Sequence, residues 1–120
     1  MSDLARQVAT VIASHLYRFD SESALQEGIH RALDSLEFGV EREAILGPGE
    51  RLDFFVDGRV AVEVKIKGSA AELTRQVYRY AQRPEVEAVV VVTSRSRLTA
   101  LPVTMADKPI IVVYLVESCL

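Results

Sequence analysis

The sequence is poor in the residues that staple or anchor a chain. It has a single cysteine, Cys119, next to the last residue, so no internal disulfide can form and no thiolate metal site can be built. No apolar run approaches the roughly 20 residues of a membrane-spanning helix. The opening stretch, MSDLARQVAT, lacks the basic-then-apolar layout of a secretory signal. The expectation is an intracellular, cytoplasmic protein with no membrane attachment. Internal repeats and low-complexity segments are also missing. The two histidines, His15 and His30, fall in different helical segments and do not suggest zinc.

What remains is ordinary material for one compact domain: 120 residues, 49% of them hydrophobic and 26% charged. The net charge of −3 argues against general nucleic-acid binding, but its distribution is uneven. Residues 1–50 carry four basic and nine acidic side chains, whereas residues 51–100 carry nine basic and six acidic. A basic middle inside an acidic protein permits a local anionic partner; a solvated mixed-charge surface accounts for it equally.

Apolar spacing predicts a helix over residues 3–19, with Leu4, Val8, Val11, Ile12 and Leu16 on one stripe. A second helix is expected over 22–37, capped by Ser21 or Asp20, with Leu25, Ile29, Ala32, Leu33 and Leu36 inward and Gly39 as its stop. Strands follow at 40–46, at RLDFFV and at 59–67, the first two joined by Gly47-Pro48-Gly49. A helix over 70–82 would turn Ala70, Leu73, Val77 and Ala81 inward. VEAVVVVT, residues 86–93, has the continuous apolar character of a central strand covered on both faces. Residues 94–107 are expected as a loop holding a short helix, and PIIVVYLV as the final strand. The order α-α-β-β-β-α-β-β predicts an α/β fold: a mixed sheet flanked by helices, its first three strands antiparallel and the strand after the helix parallel to a neighbour.

The stretch VAVEVKIKG, residues 60–68, places Val60, Val62, Val64 and Ile66 on one side and Ala61, Glu63, Lys65 and Lys67 on the other. A half-buried antiparallel strand accounts for that pattern without any chemistry. Asp53 is less easily dismissed, because it sits between Leu52 and Phe54 in a strand expected to be buried, where a carboxylate needs a cation, hydrogen bonds or a metal. A salt bridge to Arg51, Arg59 or Lys65 would satisfy it. So would a metal shared with Glu63. That second reading depends on the hairpin turn. A two-residue Asp57-Gly58 loop pairs Asp53 with Val62 and sends Glu63 to the opposite face, whereas an Asp57-Gly58-Arg59 loop sets Asp53 opposite Glu63.

Two carboxylates on one face suit Mg²⁺ or Mn²⁺, which can polarise a phosphoryl oxygen and acidify a bound water. A lysine beside them could orient that water or offset developing charge. Glu22, near the core side of the second helix, offers a third carboxylate or merely complements the helix dipole; Glu27 lies on the polar side. On the later helix Gln76 and Tyr80 share a face, and Arg75, Arg79 and Arg83 form a row that either faces solvent or tracks phosphates.

Taken together, these residues resemble the PD-(D/E)XK nuclease superfamily, whose restriction-endonuclease-like core runs α-β-β-β-α-β. The resemblance covers residues 21–93 of a single domain spanning 1–120, leaving residues 1–19 as an accessory helix and 94–120 as a loop and an extra C-terminal strand. Glu22, Asp53 and Glu63-Val64-Lys65 match the acidic helix residue, the strand aspartate and the (D/E)-X-Lys motif. Gln76 and Tyr80 match the Gln-X-X-X-Tyr motif of the RecB-type branch, while Leu52 stands where the family often has proline. The resemblance implies Mg²⁺-dependent hydrolysis of DNA phosphodiester bonds, with Mn²⁺ able to substitute. Asp53 and Glu63 would hold the metal, and Glu22 would act directly or through water. Lys65 would position the nucleophilic water. Gln76 and Tyr80 would support the site or contact substrate, with Lys67, Arg75 and Arg79 at its rim. Specificity would then come from loops, a homodimer or a partner protein. A catalytically silent binding module for nucleic acid or protein on the same fold is the alternative, and a purely structural α/β domain the third reading.

Overall fold

Both N-terminal helices form where apolar spacing places them, and both stop early. In the computed structural model, which describes residues 3–116, α1 spans Leu4–Ala13 and α2 spans Glu22–Leu33. The side chains that follow α1 take over its last acceptors. Ser14 Oγ donates to the Val11 carbonyl at 2.9 Å and His15 Nδ1 donates to the same oxygen at 2.7 Å, so the backbone N–H of His15 falls back on Ile12 at 3.4 Å. Leu16, expected on the core stripe, is consequently 95% exposed. The start of α2 is fixed by Ser21, whose hydroxyl accepts the Ala24 N–H at 3.0 Å. Ser35 Oγ bonds the Ala32 carbonyl at 2.7 Å just past its end. Gly39 is therefore not the stop for α2; its carbonyl accepts the Asp57 N–H at 2.7 Å and serves the sheet. Gly28 lets the Tyr17 ring, in the connection between the helices, lie against α2, since a Cβ there would lie 2.8 Å from that ring.

Six strands follow: β1 Val40–Gly47, β2 Glu50–Val56, β3 Val60–Val64, β4 Ala88–Thr93, β5 Thr104–Met105 and β6 Lys108–Tyr114. They form one mixed sheet in the order β1-β2-β3-β4-β6-β5. The β1-β2-β3 meander is antiparallel; β4 runs parallel to β3, and β6 parallel to β4. A parallel neighbour requires a crossover, and α3, Ala70–Ala81, supplies it between β3 and β4. Ser69 starts α3 by accepting the Glu72 N–H and donating back to the Glu72 carboxylate, both at 3.1 Å. Ala70, expected inward, is exposed in this first turn. The expected loop after β4 contains a 3₁₀ turn at Ser96–Leu98 and the short strand β5, which doubles back on β6.

The sheet divides two cores. Leu25, Ile29 and Leu33 of α2 and Val8 and Ile12 of α1 pack with Phe54, Val62, Val90 and Val92 on one face. Leu73, Val77, Tyr80 and Ala81 of α3 pack with Leu52, Ala61, Val89 and Val91 on the other. β3 therefore differs from the half-buried antiparallel strand its alternation suggests. It is central, all five residues are buried, and regular pairing stops at Val64. Lys108 Nζ closes the far end of α3, donating to the carbonyls of Ala81, Arg83 and Val86 at 3.0, 3.1 and 2.5 Å. No helix among the described residues is long and apolar enough to cross a membrane. Cys119 lies outside the described residues.

Candidate active site

The β2-β3 turn takes the longer of the two forms the sequence allows. Asp57 and Gly58 have φ of 54° and 61°, and the Arg59 N–H closes on the Val56 carbonyl at 3.0 Å. Val56 faces Val60, Phe55 faces Ala61 and Phe54 faces Val62. That register carries Asp53 to the position opposite Glu63, on the sheet face covered by α3.

Asp53 Oδ2 accepts the Val64 N–H at 2.7 Å, so the aspartate caps the end of β3. No cation lies within ion-pair distance of it among the described residues: Arg51 pairs with Glu43, and Arg59 with Asp57 and Glu87. The salt bridge that would have explained Asp53 structurally does not form. Glu63 is only 4% exposed, and its Oε1 is buried with no hydrogen-bond partner. The two carboxyl groups are close enough for the charge of Asp53 to act on Glu63. Burial raises the pKa of Glu63 most, the negative charge of Asp53 raises it further, and the Lys65 ammonium opposes both. Asp53 also moves up through burial, against the pull of the Val64 N–H. The half-buried Glu22, at the start of α2, raises both pKa values through its charge. Glu27 is engaged elsewhere, paired with Arg42.

The three carboxylates do not close into a cage: no group of three or more His, Cys, Asp or Glu side chains able to hold a metal occurs among the described residues. Asp53 and Glu63 alone still fit a hard divalent cation. Mg²⁺ is usually bound by one or two carboxylates, with waters and substrate phosphate oxygens completing its shell. An acid pair that keeps one buried oxygen unpartnered has that donor capacity.

Lys65 follows β3 directly, its amide bonded to the Val92 carbonyl at 2.9 Å, and its side chain lines a 300 Å³ groove with Glu72, Arg75, Gln76 and Arg79. Gln76 Nε2 donates to the Tyr80 hydroxyl at 2.8 Å, and that hydroxyl donates to the Arg51 carbonyl at 2.9 Å. The Gln-X-X-X-Tyr pair thus ties α3 to β2 two residues from Asp53. Burial, then the Glu63 charge, holds the Tyr80 phenol above its ordinary range, so it stays a protonated donor. The arginine row is not uniform. Arg79 pairs with Glu50 at 3.4 Å, Arg83 with Glu85 at 3.3 Å, and only Arg75 has no carboxylate partner among the described residues. Lys67 is exposed beyond the strand.

Two features escaped the sequence. Glu50, with one buried unpartnered oxygen, pairs with Arg79 where that arginine lines the groove. Arg95 and Arg97, which read only as loop residues, reach back to the chain just after Lys65: Arg95 Nε donates to the Ile66 carbonyl at 3.3 Å and Arg97 Nη1 to the Gly68 carbonyl at 2.6 Å. Their i, i+2 spacing in a basic segment was the available signal. No protein-family model matches the chain, and neither a curated protein nor a solved structure matches it.

Proposed function

We propose that this chain is a divalent-metal-dependent nuclease that hydrolyses DNA phosphodiester bonds on a PD-(D/E)XK-type core. The observation that carries the reading is the Asp53–Glu63 pair on one sheet face, the aspartate half-buried and the glutamate buried with an unpartnered oxygen, with Lys65 beside it. The element order and the parallel β3-β4 pair across α3 also support it.

A Mg²⁺ or Mn²⁺ ion held by Asp53 and Glu63 would supply polarisation of a phosphoryl oxygen and an acidified water. The protein side chains do the remaining work. Asp53 is fixed by the Val64 N–H, which donates to its Oδ2. Glu63 is held rigid by burial. Lys65 orients the attacking water and offsets charge on the phosphorane-like transition state. Tyr80 and Gln76 lock α3 against β2, so these groups keep their separation.

The test is cleavage of labelled single-stranded, double-stranded and branched DNA with Mg²⁺, Mn²⁺ or EDTA. Asp53→Asn and Lys65→Ala are expected to lower the metal-dependent rate by about 100-fold or more. Folded wild-type protein that cleaves none of these substrates would sink the reading and favour a silent binding module.

A further inference from the structure

Cations that lack a carboxylate partner are gathered in one place. Arg18, Arg42, Arg51, Arg59, Arg79 and Arg83 each pair with an Asp or Glu. Lys65, Lys67, Arg75, Arg95 and Arg97 do not, among the described residues: Lys65 and Arg75 line the groove at the end of β3, Lys67 lies in the loop that follows, and Arg95 and Arg97 bond the Ile66 and Gly68 carbonyls of that loop. Elsewhere only Arg6 and Arg31, on α1 and α2, share that state, together with Lys108, whose ammonium is taken up by three carbonyls.

Arg95 and Arg97 are held there by construction. The Thr93 hydroxyl accepts the Arg95 backbone N–H at 3.1 Å and sets the turn out of β4. Each guanidinium then spends one N–H on a carbonyl of the 66–68 loop, leaving the rest of its donor fork unused. That loop bends at Gly68, φ 86°, where a Cβ would lie 3.5 Å from Lys65 Cε. The Lys65 stem therefore passes close by the same loop that both arginines grip. Planar forks with free donors suit phosphate oxygens, and two of them beside the proposed catalytic lysine suit consecutive phosphates of one strand.

The geometry points to Arg95 and Arg97 as substrate-binding residues that hold the phosphates flanking the scissile one on a nucleic-acid strand. This rests on the nuclease reading above. The arginines act on affinity: they touch the strand beside the reacting bond and leave the carboxylates undisturbed. Their contribution falls on KM and on the salt dependence of binding, with kcat nearly unchanged.

The experiment measures fluorescence anisotropy of a labelled oligonucleotide against salt concentration, in EDTA and again with Ca²⁺, for the full chain. The Arg95→Gln/Arg97→Gln double variant keeps a side-chain donor for the loop carbonyls but removes both charges. Arg95→Lys/Arg97→Lys keeps the charges. Two lost phosphate contacts are expected to weaken binding by about ten-fold and to lower the slope of log K against log salt by about 1.4–1.8, while the lysine variant keeps most of the wild-type slope. An unchanged slope in the glutamine variant, with wild-type protein binding normally, overturns the assignment and leaves the nuclease reading standing. Binding that follows the expected slopes without any cleavage keeps both arginines as phosphate-binding residues of a silent module and sinks the nuclease reading. Wild-type protein that binds no strand in either condition overturns both.

Discussion

The two faces of β3 are both buried and have little else in common. Toward α1 and α2 the strand offers Val60, Val62 and Val64 to an unbroken apolar cluster. Toward α3 it offers Ala61 and then Glu63, and the packing is interrupted by a carboxyl pair and by the Gln76–Tyr80 link. The first face has nothing to gain from solvent or ligand, so it serves cohesion alone. The second carries charge in low dielectric, a cost the fold tolerates only because the first face is continuous. The apolar core and the carboxyl pair are thus separated by the thickness of one strand.

The sharpest way to break this contrast is to damage the cohesive face. Phe54 is fully buried there, with the His30 ring centroid at 5.8 Å and the Arg42 guanidinium at 5.9 Å. Phe54→Ala is expected to cost about 3–5 kcal/mol in urea unfolding. A loss under about 1 kcal/mol would mean that the cohesive core lies elsewhere.

On the chemical face a substitution should work the other way. Burial and the Asp53 charge push Glu63 up to about 9, far above its value in an unfolded chain. The folded state therefore binds the proton more tightly than the unfolded state. The contribution is fully present below the unfolded glutamate pKa of about 4.3 and fades as pH rises toward about 9. Metal-free wild type is expected to lose thermal stability across that window. Glu63→Gln, which has no proton to lose there, should flatten the profile and be more stable by about 1–2 kcal/mol at its alkaline end. Melting curves across the pH range check this, and a flat wild-type profile would show that Glu63 is ionised and paired. If the pair holds a metal as proposed, added Mg²⁺ should restore most wild-type stability at the alkaline end, because the ion offsets the charge of the ionised carboxylates.

The smallest effect belongs to the link between α3 and β2. Tyr80→Phe removes the hydroxyl that donates to the Arg51 carbonyl and accepts from Gln76. The expected loss is about 1 kcal/mol of stability. A greater fall in cleavage rate than in stability would show that the link also sets the geometry of Asp53.

Element order and the parallel crossover were legible because hydrophobic period reports burial directly, and burial decides layers. VEAVVVVT, with no polar alternation, could only be an interior strand, and it is β4. Helix ends were less legible, since Ser14 and His15 compete locally for the Val11 carbonyl and period counting does not see that competition. The pairing of Asp53 with Glu63 was legible as a choice between two turns, and backbone geometry at Asp57 and Gly58 made the choice. The ion pairs were not legible. That Glu50 would engage Arg79 while Arg75 stayed without a carboxylate follows from the three-dimensional neighbourhood alone. Arg95 and Arg97 were hidden for the same reason, because their partners lie 29 residues away in the chain.

The crossover through α3 also fixes an order of events as the chain leaves the ribosome. The Asp53–Glu63 hairpin is local and can close within about 1–10 μs once its strands exist. The segments that bury it, α3 and β4, are made only afterwards. A nascent chain ending near Val64 can therefore hold both carboxylates in water, where ionising them costs little. The electrostatic penalty arrives with α3 and the valines of β4, after the β1-β2-β3 meander and before β5 and β6 are made.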